Sequence, residues 1–78
     1  NASRACDWWK KAAKAGDLEG LEKYGVCYML GRGREKDISK AYRYLKEASD
    51  KGSTGAIYIV ERYRSVFPSE EQSLSSSP

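Results

Sequence analysis

Cys6 and Cys27 carry the most reactive side chains in a chain of 78 residues that contains no histidine. Without histidine, neither a Ser-His-Asp nor a Cys-His arrangement can be assembled, and two cysteines alone do not make a structural zinc site. A disulfide or two packed thiols remain. If the chain folds back between Gly16 and Asp17, the two cysteines stand at one height on neighbouring helices. Equal height does not secure the Cα spacing of roughly 5.5 Å and the side-chain direction that a disulfide requires. Free cysteine packs as a small apolar residue, so two buried or half-buried thiols are the preferred reading, which an oxidising compartment would reverse.

Gly31-Arg32-Gly33-Arg34 is the second candidate, because backbone amides at a helix start bind anions. No third glycine, no Lys-Ser or Lys-Thr pair and no preceding strand accompany it, so a plain solvated loop is expected. A nucleic-acid reading would rest on Arg32, Arg34, Lys36 and Lys40, but Glu35 and Asp37 alternate with them. Fourteen basic against eleven acidic residues leave +3, well short of the dense basic field of a committed nucleic-acid binder. Carboxylates such as Glu22 and Glu35 are present, yet nothing in the spacing sets two of them at a working separation. No catalytic residue, metal site or cofactor is assigned, and an enzyme is the least favoured class.

The elements that would carry these residues are helices. A composition of 40% hydrophobic and 32% charged residues fits a folding chain with a wet surface. Glycines at 16, 31, 33 and 52 suit left-handed helix ends, with Asp17, Asp37 and Ser53 nearby as N-caps. Helices are therefore predicted over 4–15, 18–30, 38–51 and 54–66, and the two-residue turns at 16–17 and 52–53 fold them into two antiparallel hairpins. One domain is the ceiling at this length. Residues 1–3 read as a remnant of tag removal, and 67–78 as a disordered polar tail with too little apolar surface to offset the entropy of ordering. The longest apolar runs, 26–30 and 56–60, fall far short of the roughly 20 residues a membrane span needs. No membrane partner is expected, and the compartment stays open.

A shift of 36 residues, the distance from Ala5 to Ala41, lays Lys10 on Lys46, Ala12 on Ala48 and Gly16 on Gly52. It also sets Trp8 on Tyr44, Trp9 on Leu45, Gly20 on Ala56 and Leu21 on Ile57. A fixed period in this range marks an array of helical hairpins, because one hairpin cannot bury its apolar faces alone. Ala5, Ala12 and Gly16, then Ala41, Ala48 and Gly52, form a stripe that permits close approach, with Trp9 and Leu45 plugging the gap as the largest buried contacts. Gly20, Leu21, Tyr24, Cys27 and Tyr28 form the facing stripe, matched by Ala56, Ile57, Val60 and Tyr63. Gly25, costly inside a helix by about 1 kcal/mol, points to tight packing.

Tyr28, Gly31, Gly33, Asp37, Lys40, Ala41, Lys46, Ala48, Gly52 and Ala56 stand in an order that resembles the Sel1-like repeat family, relatives of the tetratricopeptide repeats. Lys10-Lys11-Ala12-Ala13 with Gly16 repeats one element of that pattern, so the resemblance runs over about residues 5–64. Arg34 departs from it, standing where the family carries Val, which would loosen the loop; Ser49 replaces an Ala. The fourth helix lacks the tyrosine-glycine exit, as at the end of an array. The resemblance implies an all-α fold of antiparallel hairpins stacked as a short α-solenoid, with four helices and two repeats over 4–66. It also implies a non-enzymatic adaptor or scaffold that binds protein. The candidate contact residues lie where first helices line a concave surface: Arg4, Trp8, Lys11, Arg43, Tyr44 and Glu47, facing a peptide or partner helix. Trp8 and Tyr44 also suit plain packing, since the family pattern often has an aromatic there. Self-assembly by end-to-end stacking is the alternative.

Overall fold

The computed structural model describes residues 2–67. Asn1 and the remainder of the expected tail, 68–78, lie outside the described residues. Four helices follow one another: α1 (Ala2–Lys14), α2 (Leu18–Leu30), α3 (Ile38–Asp50) and α4 (Thr54–Arg62). Each packs on its neighbour in chain order, α1 on α2, α2 on α3 and α3 on α4. No strand occurs among the described residues.

The helix ends have the chemistry their residues imply. Asp17 accepts from the Gly20 amide at 2.7 Å, Asp37 from Lys40 at 3.0 Å, and Ser53 from Ala56 at 3.2 Å. Each satisfies an amide that has no partner inside its helix. The two short turns are copies. Gly16 and Gly52 take φ values of +87° and +100°, and the amides of Asp17 and Ser53 return to the carbonyls of Ala12 and Ala48 at 3.0 and 2.9 Å. This closure leaves only a turn between helices and forces the antiparallel return.

The small residues do set the helix spacing. A Cβ on Gly20 would come within 2.6 Å of the Ala12 Cβ, so α1 and α2 touch backbone to backbone there. Between the repeats, Leu45 is fully buried against Gly25, flanked by Ala41 and Ala48, which are equally buried. Leu21, Ala56 and Phe67 complete that core.

Three expectations need correction. Ala5 is exposed and Trp9 only half-buried, whereas their counterparts Ala41 and Leu45 are fully enclosed. The cause is positional: α3 has α2 on one side and α4 on the other, while among the described residues α1 has only α2. Ile57 is 38% exposed and Tyr63 41%, for the matching reason at α4. Helix α4 also stops at Arg62, short of 66, because the chain turns through Tyr63 to insert Phe67 beside Tyr42, with ring centroids 5.5 Å apart. Phe67, assigned to the tail from sequence, belongs to the core.

Candidate functional site

Cys6 and Cys27 are joined by a disulfide that ties α1 to α2, with Cα atoms 6.2 Å apart. The expectation of two thiols is therefore wrong. Equal height placed the cysteines correctly, and the backbone contact at Gly20 draws the helices close enough for the Cα separation to fall inside the range a disulfide spans. Cys6 Sγ also lies 2.9 Å from the Arg32 carbonyl oxygen. A bridged sulfur has no proton to donate, so this is a close polar contact that sets the loop against α1.

That loop is organised around Arg34. Its guanidinium donates to the Tyr24 hydroxyl at 2.9 Å and to Asp7 Oδ1 at 3.1 Å, and it lies over the rings of Tyr24 and Tyr28, 4.9 and 5.4 Å from their centroids. Its side chain is only 17% exposed. Arg34 does not loosen the loop in place of Val; it clamps it, because two tyrosines and an aspartate from two helices converge on it. Two of the four cations behind the nucleic-acid reading are thereby engaged internally, since Lys40 Nζ also lies over the Tyr28 ring at 5.4 Å.

Three tyrosines form the centre of this cluster. Tyr24 packs edge-on against Tyr28 and Tyr44, with centroids 5.1 and 4.8 Å apart, and Tyr28 stacks on Tyr44 at 6.0 Å. The hydroxyls of Tyr24 and Tyr28 are 3.2 Å apart. Because Arg34 already donates to the Tyr24 oxygen, the Tyr24 proton is free to point at Tyr28. Burial and that hydrogen bond push the Tyr24 hydroxyl up to about 12, while the bond it gives pulls Tyr28 below the usual tyrosine value.

The six candidate contact residues divide. Arg4, Lys11, Arg43 and Glu47 are exposed, with Glu47 paired to Lys51 at 3.3 Å. Trp8 is 66% exposed. Tyr44 is half-buried in the tyrosine cluster and forms part of the packing between repeats. Asp7, Tyr24, Tyr28 and Arg34 were not singled out as a unit from sequence. The i, i+4 spacing of Tyr24 and Tyr28 was the available signal, but nothing local tells that an arginine six residues beyond Tyr28 folds back over both. Among the described residues no three Cys, Asp or Glu side chains converge as a metal site would need, and no helix is long and apolar enough to cross a membrane.

A tight turn repeated at a 36-residue interval, with a glycine-lined crossing between successive helix pairs, coincides with a match to the Sel1 repeat model over residues 1–17 and 18–53. This chain belongs to the Sel1 repeat family. An uncharacterized Sel1-like repeat-containing protein of Schizosaccharomyces pombe is 39% identical over 51 residues, which cover 65% of this chain and 8% of that relative. The chain thus spans less than a tenth of the curated relative it matches. No solved structure matches it. The Sel1 frame is offset by one helix from the hairpin frame: the unit 18–53 holds α2 and α3, and 1–17, moved by one 36-residue period, falls on 37–53. Sel1 repeats are in general protein–protein interaction modules and typically non-enzymatic.

Proposed function

We propose that this Sel1 module binds a peptide or partner helix along the ridge formed by Arg4, Trp8 and Lys11 on α1 and Arg43, Tyr44 and Glu47 on α3. The observation that carries it is Trp8, 66% exposed and flanked by the exposed cations Arg4 and Lys11. Exposed tryptophan beside arginine is the composition of interface anchors, where a flat apolar ring contributes area and the cations orient the partner. Tyr44 contributes only its outer edge, because the rest of the ring is held by Tyr24 and Tyr28.

Selection of displayed peptides against the intact chain, with counter-selection against a Trp8→Ala, Arg4→Glu variant, tests the ridge. The expected result is a set of peptides carrying an apolar residue near acidic ones, whose affinity drops at least about tenfold on that variant, matching the loss of one modest anchor. Peptides that bind parent and variant equally would place the contact elsewhere.

A further inference from the structure

Helices α1 and α3 hold equivalent places in the repeat and carry opposite charge near their C-terminal ends. Lys11 and Lys14 stand one 36-residue period before Glu47 and Asp50. On α3 those carboxylates are neutralised locally, Glu47 by Lys51 at 3.3 Å and Asp50 by Lys46 at 3.0 Å. On α1 the exposed cations Arg4, Lys10, Lys11 and Lys14 make no ion pair among the described residues, and the acid of that helix, Asp7, is taken by Arg34 of the loop at 3.1 Å. Lys10 and Lys14 form a like-charge pair at i, i+4, which weakens a helix where Lys46 and Asp50 strengthen one. A basic last turn does complement the helix dipole, but α3 ends without one and forms a helix of the same length. The fold therefore leaves the α1 cations unused.

We infer that the partner on the proposed ridge is an acidic protein segment, with carboxylates set against Arg4, Lys11 and Lys14 and an apolar side chain on Trp8. This rests on the ridge reading and narrows its partner. The helical rise from Arg4 to Lys14 is about 15 Å, a length that carboxylates spaced one helical turn apart match. Trp8, 66% exposed, stands between Arg4 and Lys11, so the apolar contact falls inside the charged line. Carboxylates are favoured over a polyphosphate chain because the cations do not continue as a track: Glu35 and Asp37 interrupt them in the loop, and Glu47 and Asp50 on α3. Those two α3 carboxylates also disfavour an acidic segment at the equivalent place on α3, which confines it to α1.

The probes are three blocked peptides of one length: a leucine flanked by glutamates at helical spacing, the same peptide with glutamine for glutamate, and the same with lysine. Against the intact chain the glutamate probe should bind at least about tenfold tighter than the glutamine probe, lose that margin in high salt, and leave the lysine probe unbound. Lys11→Glu with Lys14→Asp gives α1 the charges that α3 already carries, so this variant should melt no lower than the parent while losing the preference for glutamate. Lys11→Gln with Lys14→Gln, which only removes charge, should lose part of it. Trp8→Ala should weaken the glutamate and glutamine probes alike. The inference fails, with the ridge intact, if the glutamine probe binds as tightly as the glutamate probe and both depend on Trp8. Indifference of both probes to Trp8→Ala sinks the ridge reading and this inference together. The inference also fails if the glutamate probe shows no binding at millimolar concentration, if both lysine variants keep the preference, or if a single-stranded oligonucleotide of equal charge binds tighter and displaces the glutamate probe.

Discussion

Leu45 lies against the bare backbone of Gly25, so close that a Cβ at position 25 would sit 2.7 Å from Leu45 Cγ and 3.3 Å from the Ala41 carbonyl oxygen. This contact joins the two hairpins. Alanine is the better helix former by about 1 kcal/mol, which would favour Gly25→Ala in an isolated helix. Here the methyl meets the branch point of a fully buried leucine and a backbone oxygen, neither of which can swing away, and overpacking costs about 1–3 kcal/mol. The expected outcome is a net loss of up to about 2 kcal/mol in urea denaturation. A stabilised variant would show that the two hairpins are not in close contact.

The disulfide between Cys6 and Cys27 closes a segment with a sequence separation of 21. Restricting the unfolded chain over such a loop contributes about 3 kcal/mol. Reduction, or Cys6→Ala with Cys27→Ala, should lower the unfolding free energy by about that amount. Both sulfurs sit in the α1–α2 contact, so hydrogen exchange should rise in α1 more than in α3. Uniform exchange gains across all four helices would contradict this.

Arg34 should matter through Tyr24 rather than through Asp7. Its contact with Tyr24 is partly buried, whereas Asp7 is 68% exposed, and exposed ion pairs contribute little. Asp7→Ala is expected to cost less than about 0.5 kcal/mol. Arg34→Val, which restores the family residue, should cost about 1–3 kcal/mol because the Tyr24 hydroxyl loses a charged donor and both rings lose the cation. Equal costs for the two variants would remove the clamp.

The tyrosine pair makes an alkaline signature. Tyr28 is lowered and Tyr24 is raised to about 12, so absorbance titration should show one tyrosine holding its proton beyond pH 11. Between the unfolded value near 10 and the folded value near 12, the native state binds more protons at Tyr24 than the unfolded state does. That contribution to stability is whole below about pH 10 and is lost as pH rises through the folded value. In Tyr24→Phe the late titration should vanish; its survival would assign it to another residue.

Trp8 and Tyr44 are equivalent in the repeat and unequal in the fold. Trp8→Ala should change stability by less than about 1 kcal/mol, as most exposed substitutions do. Tyr44→Ala should cost about 2–3 kcal/mol, since it empties a ring-sized space against Tyr24 and Tyr28. Thermal melts of the two single variants decide this; similar losses would mean that Trp8 is also packed.

Much of the architecture was legible because its signals are local. Gly16 and Gly52 can adopt a positive φ without steric cost, Asp17, Asp37 and Ser53 carry oxygens that reach amides three residues on, and the 36-residue echo of Ala5, Lys10, Ala12 and Gly16 requires no coordinates to see. The end of α4 was not legible, because Val66 suits a helix well enough, and only the opening beside Tyr42 makes burying Phe67 better than one more turn.

The candidate site was less legible for the same reason. Type and spacing identified Arg4, Trp8 and Lys11 as a line along α1, but whether such a line is covered depends on which helix lies next to it. The residue order alone determined four capped helices, two close returns and a repeat with small residues at its crossings. Tertiary structure decided that Cys6 and Cys27 are bonded, that Arg34 turns inward to the tyrosines, and that Leu45 is enclosed while Trp9 is not. Each of those outcomes depends on distances between segments far apart in the chain, which the pattern within any one helix does not contain.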